Sequence, residues 1–203
     1  MEKRSTADKL ERRSFSSTLE IELRDDDDRK IRGHAALFDS LSENLGGFRE
    51  QIAPGAFDDC LGDDIRGLFN HDANMVLGRT SAGTMRVAVD SMGLTYEIDV
   101  PDTSFARDLV VSLQRKDVSQ SSFAFTVEDD DWTEDDEGRV IRTINKVRRL
   151  YDVSPVTYPA YADTSVALRG LDKFTSGKEE LIARRKRQAE SRQRAIAMTD
   201  LGV

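Results

Sequence analysis

Three serines crowd one short stretch of the chain, and a serine hydroxyl in a suitable setting is a nucleophile. The stretch covers residues 117–127, and its serines are Ser119, Ser121 and Ser122. Because side chains alternate along an extended strand, Ser122 would share a face with small residues while two phenylalanines face the other way. Such a surface can seat a nucleophilic hydroxyl. Serines that only line a solvated strand are the more frequent case, and this segment alone leaves both interpretations open.

A serine nucleophile needs a general base within hydrogen-bond reach. The two histidines of the chain are His34 and His71. His34 lies inside an alternating strand pattern, whereas His71 follows the end of a strand, between Asn70 and Asp72. A lone histidine is more often a surface or core residue than a catalyst, so placement alone decides nothing. The histidines and the single Cys60 are too scattered for a typical zinc site, and we expect neither a metal nor a cofactor.

The composition indicates a soluble cytoplasmic protein. The 203 residues suit one domain of about 150–170 residues with polar tails. The formal net charge of −8 argues against a general nucleic-acid-binding protein. One cysteine excludes an internal disulfide framework and indicates a reducing compartment. No apolar run approaches the roughly 18–20 residues of a membrane span, and the charged N-terminus lacks the apolar segment of a secretory signal.

Alternation and turn signals predict a mainly β domain of the α+β class. Strand patterns cover residues 15–23, 31–38, 65–70, 76–80, 84–90, 93–100, 117–127 and 139–153. Helical patterns cover residues 53–61 and 102–116, an irregular loop covers 39–53, and an acidic hairpin tip covers 128–138. A barrel or a sandwich with helices packed outside fits this order, and we predict an antiparallel β-barrel of about seven strands.

Polar segments flank this domain. Residues 1–13 form a polar arm, the domain covers 14–170, and residues 171–203 form a tail with a linker at 175–178 and a polar helix at 179–198. The tail holds eight basic and five acidic residues, a net charge of +3. Its few apolar positions cannot bury much surface, so we expect an interaction or processing segment rather than part of the core.

Five motifs occur in a fixed order along the chain. They are GHAALF at 33–38, IAPGAF at 52–57, LFNHD at 68–72 with LGR at 77–79, DVSQSSFAF at 117–125 and DVSPVTYPAY at 152–161. In this order and spacing they resemble the prohead (capsid maturation) proteases of tailed bacteriophages, a family similar in fold to the herpesvirus capsid maturation proteases, the assemblins. The resemblance covers roughly residues 15–170. Each motif alone is weak, but the ordered set identifies the family.

The resemblance implies a serine endopeptidase with a Ser-His-Asp triad. Ser122, directly before Phe-x-Phe, matches the family's nucleophile, and His71 matches the histidine of its Asn-His-Asp segment. Asp152 falls where the family commonly has an acidic residue before Val-Ser, and it is the implied third member, although herpesvirus relatives use a second histidine. Gln120-Ser121 stands where the family often has Gly-Met, which leaves Ser121 as a competing nucleophile.

The implied triad sets a geometric expectation. Simple alternation along the predicted strand at 139–153 puts Asp152 on the same face as Leu150 and Ser154. If this strand pairs beside the predicted strand at 117–127, Asp152 and Ser122 can lie near one another, with His71 reaching them from a neighbouring strand end.

The resemblance also implies a biological role. The protein would be packaged inside the immature capsid, in the host cytoplasm, and would cleave the scaffolding domain of the major capsid protein and also itself. The arm and the tail would dock to capsid or scaffold. No membrane and no specific nucleic acid is implied as a partner, and homodimerisation, which activates the herpesvirus relatives, is left open. A non-catalytic scaffold or capsid-assembly module on the same fold is the alternative, and a ligand-binding β-barrel is a weaker one.

Overall fold

The computed structural model of the chain describes residues 10–15, 20–23, 29–158 and 165–200. These residues form ten strands, two α-helices and a short 3-10 helix at Thr80–Ala82. The strands are β1 Glu11–Phe15, β2 Glu20–Leu23, β3 Arg29–Leu37, β4 Phe48–Ile52, β5 Arg66–Phe69, β6 Asp72–Arg79, β7 Met85–Val89, β8 Gly93–Asp99, β9 Gln120–Glu134 and β10 Val140–Val156. The helices are α1 Ser104–Gln114 and α2 Ser165–Asp200. The chain divides into two compact units, Met1–Val166 and Ala167–Val203.

The strands of the first unit form two sheets. One has the order β1-β9-β10-β5-β6, and β4 also pairs with β10. The other has the order β2-β3-β8-β7, and its neighbours are antiparallel. Strand β10 pairs with β9 along one side, and on its other side it pairs in parallel with β4 near its beginning and with β5 near its end. The first sheet is therefore mixed, and β10 is its organising strand.

A single apolar core joins residues of both sheets and of α1. Phe123 and Phe125 of β9 stack with ring centroids 4.6 Å apart, and Phe57 meets Phe123 edge to face at 5.7 Å. The second sheet contributes apolar side chains with no exposed surface, among them Ile31, Leu94 and Ile98. On α1, the buried residues recur at helical spacing, at Ala106, Leu109, Val110 and Leu113.

The predicted mainly β, α+β class is confirmed, but the closed antiparallel barrel is not. The described strands form two separate sheets, and an isolated β-bridge pairs Phe38 with Ile52. One side of β10 pairs with two short parallel strands, β4 and β5, and the first sheet ends at β6 without continuing into the second. The apolar faces then meet across the core, as in a sandwich.

Several predicted boundaries differ from the structure. Strand β1 begins at Glu11, within the stretch expected as a polar arm, because its charged side chains find buried partners. Of the single strand predicted over 15–23, Phe15 ends β1 in one sheet and residues 20–23 form β2 in the other. Residues 16–19, like the acidic turn at 25–28, lie outside the described residues. The expected irregular loop at 39–53 contains β4, whose Phe48, Glu50 and Ile52 are buried in alternation.

The predicted short helix at 53–61 is wrong. This segment is a succession of turns, with the amide of Cys60 donating to the carbonyl of Phe57 at 3.0 Å. Gly55 has a φ of +86°, a left-handed conformation that an α-helix does not accommodate.

The acidic segment at 128–138 is mostly strand rather than loop. Strand β9 continues to Glu134, and the turn is confined to the residues around Gly138, where Asp135 accepts a hydrogen bond from the amide of Arg139 at 2.9 Å. Pairing with β10 and packing of Trp132 on Phe48, with centroids 5.1 Å apart, extend the ribbon despite its charge.

The second unit consists of most of α2. The linker predicted at 175–178 is instead helical, and the helix runs without interruption from Ser165 to Asp200. Its basic run at 184–187 is exposed. Within the described residues, neither helix combines the length and apolar character needed to cross a bilayer.

Candidate active site

Strand β9 fixes the position of Ser122. Its Cα partner on β10 is Ser154 and its partner on β1 is Ser14. Phe123 and Phe125 enter the core, so Ser122 lies on the opposite face of the sheet, as predicted. The backbone that carries the hydroxyl is therefore held by strands on both sides and by stacked rings beneath it.

Asp152 reaches this same face because β10 is irregular. Asp152 pairs with Ala124, and Ser154 pairs with Ser122, whereas Leu150 pairs with Phe125 on the core side. A register shift between Leu150 and Asp152 breaks the simple alternation. The expectation that Leu150 shares the face of Asp152 is wrong, because the bulged residue inverts which side each one faces.

His71 occupies a tight turn between β5 and β6. Phe69 and Asp72 pair across the hairpin, and the two residues between them, Asn70 and His71, have φ values of 54° and 57°. Positive φ at both central positions is the geometry of a type I′ turn, which matches the twist of the flanking strands. The turn lies beside the end of β10, since the amide of Asn70 donates to the carbonyl of Pro155 at 3.0 Å.

These three elements bring Ser122, His71 and Asp152 into one hydrogen-bonded line. The Nε2 atom of His71 lies 2.6 Å from Ser122 Oγ, and its Nδ1 atom lies 2.5 Å from Asp152 Oδ1. Ser122 is fully buried, and the side chains of His71 and Asp152 are 6% and 11% exposed. A hydroxyl, an imidazole and a carboxyl group in this order can move a proton off the hydroxyl as it attacks an electrophile. Burial strengthens each of these hydrogen bonds, because water competes little for the polar atoms.

The neighbouring Ser121 is held elsewhere. Its hydroxyl faces the core side and lies 2.8 Å from the hydroxyl of Tyr96 in β8, and both residues are buried. The alternation of β9 directs it away from His71, so it is the hydroxyl of Ser122, and not that of Ser121, that lies within hydrogen-bond distance of the imidazole. Burial also raises the pKa of the Tyr96 hydroxyl, which keeps that group protonated and able to donate.

The whole sequence also matches a known protein family. The sequence profile of the Caudovirus prohead serine proteases matches residues 17–177. The chain belongs to this family. The matched region contains every described strand from β2 to β10, together with Ser122, His71 and Asp152. Family membership supports a serine protease that acts in capsid maturation.

Two individual proteins are similar to this prohead protease family member. The prohead protease of Enterobacteria phage HK97 is 29% identical over 160 residues, which are 76% of this chain and 66% of the relative. The chain thus spans slightly less than two thirds of that protein. The solved structure of the bacteriophage T4 capsid assembly protease aligns with a TM-score of 0.47 and 14% identity, over 74% of this chain and 98% of that one.

Two other candidate residues lie apart from Ser122, His71 and Asp152. His34, on β3 in the second sheet, has its Nε2 atom 2.9 Å from Asp90 Oδ2. Cys60 is buried, and its thiol donates to the carbonyl of Phe57. Burial, with Asp63 nearby, raises the pKa of the Cys60 thiol to about 12, so a thiolate nucleophile is disfavoured there. No group of three or more metal-ligating side chains occurs among the residues that the structure describes.

The sequence did not indicate that two further residues, Ser154 and Asn70, contribute to this site. Ser154 Oγ donates to Asp152 Oδ1 at 2.9 Å and lies 3.4 Å from His71 Nδ1. Asn70 holds the turn against β10 through its backbone and its side chain. The sequence carried a signal for Asn70, since asparagine readily adopts positive φ at the end of a strand. For Ser154, the sequence predicted only that its side chain lies on the same strand face as Asp152.

Proposed function

We propose that this family member is a serine endopeptidase with Ser122 as nucleophile, His71 as general base and Asp152 as the group that orients the base. Its substrate is the scaffolding region of the major capsid protein, and also its own chain, inside the prohead. The observation that carries the proposal is the single imidazole ring with Ser122 Oγ at 2.6 Å and Asp152 Oδ1 at 2.5 Å. That arrangement is the working geometry of a triad, whichever fold presents it.

The first half-reaction follows from these contacts. As Ser122 Oγ forms a bond to the scissile carbonyl carbon, its proton passes to Nε2 of His71. The Nδ1–H of His71 donates to Asp152, which stabilises the imidazolium that forms. When the tetrahedral intermediate collapses, the carbon–nitrogen bond breaks and the proton on Nε2 moves to the departing amine. An acyl ester on Ser122 remains.

Water completes the cycle through the same ring. His71 Nε2 accepts a proton as water attacks the ester carbonyl, and it returns that proton to Ser122 Oγ as the ester bond breaks. The enzyme regains its starting protonation state. No step requires a metal or an organic cofactor.

Substrate entry requires a local opening of the site. Ser122 is 0% exposed, so the carbon of a peptide bond reaches its hydroxyl only after the groups around it move. Such a closed ground state suits a protease that is surrounded by its own substrate during assembly. The exposed basic helix α2 is a further part of the proposal, as the segment that docks to capsid or scaffold.

Co-expression with the major capsid protein tests the function. Wild type and Ser122→Ala are compared by intact mass of the capsid protein and of the protease itself. Shortened capsid protein with wild type alone supports the protease and its nucleophile together. Shortening in both cases points to Ser121 or to a host protease, and a Ser121→Ala variant separates these two.

Absence of shortening in either case counts against an autonomous protease. A fluorophosphonate probe then distinguishes a closed enzyme from a non-catalytic module. Covalent labelling of the peptide that contains Ser122 in the wild type, but not after His71→Ala, supports an enzyme that awaits assembly. A variant truncated after residue 170 tests the docking role of the tail, which fails if the shortened chain is packaged and processes capsid protein normally.

A further inference from the structure

We propose that Asn70 is a positioning residue for the base of this site: its side chain clamps the turn that carries His71 onto the end of strand β10. The inference rests on the proposed function, because the position of His71 affects the rate only if His71 is the general base. Asn70 touches no reacting atom, and it acts only through the neighbouring residue.

The turn requires an external restraint. Asn70 and His71 both have positive φ. Residues other than glycine rarely adopt that backbone conformation at two successive positions. His71 must nevertheless place two ring nitrogens at once, one against Ser122 on β9 and one against Asp152 on β10. A two-residue turn at the exposed end of a hairpin would not by itself fix an imidazole to that accuracy.

Asn70 supplies the restraint through three hydrogen bonds to the last residues of β10 and just beyond. Its backbone amide donates to the carbonyl of Pro155 at 3.0 Å. Its side-chain Nδ2 donates to Thr157 Oγ1 at 3.1 Å, and its Oδ1 accepts from the amide of Thr157 at 2.8 Å. These partners continue the strand that carries Asp152 and Ser154. The turn and the carboxyl group that it serves are therefore anchored to the same strand.

The next polar side chains of the hairpin do not share this role. The carboxyl group of Asp72 accepts from the amide of Asn74 at 2.8 Å and from its Nδ2 at 2.9 Å, so these two residues bond to each other. Asn74 is exposed, as Asn70 is. Asn74 is thus a matched control: the same residue type on the same hairpin, with bonds that stay local.

Loss of the clamp should lower reactivity more than stability. Catalytic contacts tolerate little displacement, and a shift of about 1 Å can cost on the order of 100-fold in rate. Exposed hydrogen bonds contribute little to stability, and replacing Asn70 with glycine leaves no buried polar group without a partner. Glycine also tolerates positive φ, so Asn70→Gly removes the side-chain bonds without straining the turn.

The experiment measures two properties of purified full-length chains: the rate at which a fluorophosphonate labels Ser122, and the downfield proton resonance of the His71 Nδ1–H in contact with Asp152. For Asn70→Gly we expect labelling to slow by about 10- to 100-fold and the resonance to broaden or move. Thr157→Ala, which removes one bond, should show a smaller change in the same direction, and Thr157→Ser should restore wild-type values. Asn74→Ala should match the wild type in both measurements.

The inference is overturned if Asn70→Gly labels at the wild-type rate with an unchanged His71 resonance while the chain stays folded. It is also overturned if Asn74→Ala has the same effect as Asn70→Gly, because the effect would then belong to the hairpin in general. Failure of the proposed function looks different: the wild type itself would not label at Ser122. The His71 resonance still reports on the clamp in that case, since it needs no turnover.

Discussion

Leu150 and Asp152 lie two residues apart on β10 yet face opposite sides of the sheet. Leu150 packs in the core opposite Phe125, and Asp152 lies opposite Ala124 on the face of Ser122. One bulged residue between them makes the difference, and without it the carboxyl group would point into the core. The same strand thus serves the core along most of its length and the candidate active site at its end.

Replacement of Ser122 and of Ser121 should have separate effects. Ser122→Ala should reduce processing of capsid protein by at least about 10⁴-fold, because the bond-forming oxygen is gone. Ser121→Ala should keep processing but lower the free energy of unfolding by about 1–2 kcal/mol, because the buried Tyr96 hydroxyl loses its partner. Intact-mass analysis and urea denaturation measure the two effects. The assignment is wrong if Ser121→Ala alone abolishes cleavage.

Asp152 and Ser154 should contribute unequally to the rate. Asp152→Asn keeps the shape of the side chain but replaces the acceptor of the His71 Nδ1–H, so we expect a loss of about 10⁴-fold in the rate of cleavage. Ser154→Ala removes one hydrogen bond to Asp152 Oδ1, and we expect a loss of about tenfold. Time courses of capsid-protein cleavage at saturating enzyme measure both. Equal losses for the two variants would contradict an orienting role specific to Asp152.

Gly78 should be needed for the placement of the hairpin that carries His71. It pairs with Gly67, and a Cβ atom at Gly78 would lie 2.9 Å from the backbone oxygen of Thr84 and 3.1 Å from Ile98 Cγ2. Gly78→Ala should therefore lower the free energy of unfolding by about 1–3 kcal/mol and slow cleavage as the hairpin moves. Gly62→Ala is the control, since nothing lies within 4 Å of a Cβ there. Comparable losses in both variants would rule out a specific packing effect.

A buried ion cluster should make the attachment of β1 sensitive to acid. The cluster joins Glu11 and Arg13 of β1 to Glu50 of β4 and Arg142 of β10, with side chains 2–4% exposed. Burial raises the pKa of Glu11, but hydrogen bonds and charges from Arg142 and Arg13 outweigh it and hold the pKa below the ordinary 4.5. Because the folded state binds this proton more weakly, the stabilisation is present above 4.5 and is lost as the pH falls through the folded-state pKa.

Urea denaturation as a function of pH measures this dependence. The free energy of unfolding should fall below pH 4.5 in the wild type, and Glu11→Gln should flatten that part of the curve. Arg142→Met should cost about 3–5 kcal/mol at neutral pH, because it leaves buried carboxylates without their partner. If Glu11→Gln leaves the fall in the free energy of unfolding below pH 4.5 unchanged, protonation of Glu11 is not the cause of that fall.

The sequence alone predicted the positions of most strands and named the three residues that the structure brings together, but it did not predict the order in which the strands pair. Period-two alternation located most strands, including the one that carries Ser122, because a half-buried strand leaves a local pattern. Helical spacing found α1 for the same reason. Ordered motifs led to the family and to His71 and Asp152, whereas alternation by itself could not choose between Ser121 and Ser122 as nucleophile.

Only the tertiary structure decided the remaining points. Strand β4, the early start of β1 and the long acidic ribbon depend on partners that are distant in sequence, such as the buried pairs of Arg13 and Arg142 with Glu50. Ser121 is distinguished from Ser122 by Tyr96, which belongs to the other sheet. The bulge before Asp152 and the clamp at Asn70 arise from the register between strands. These features depend on contacts between segments that are distant in sequence, so local alternation along the chain does not specify them.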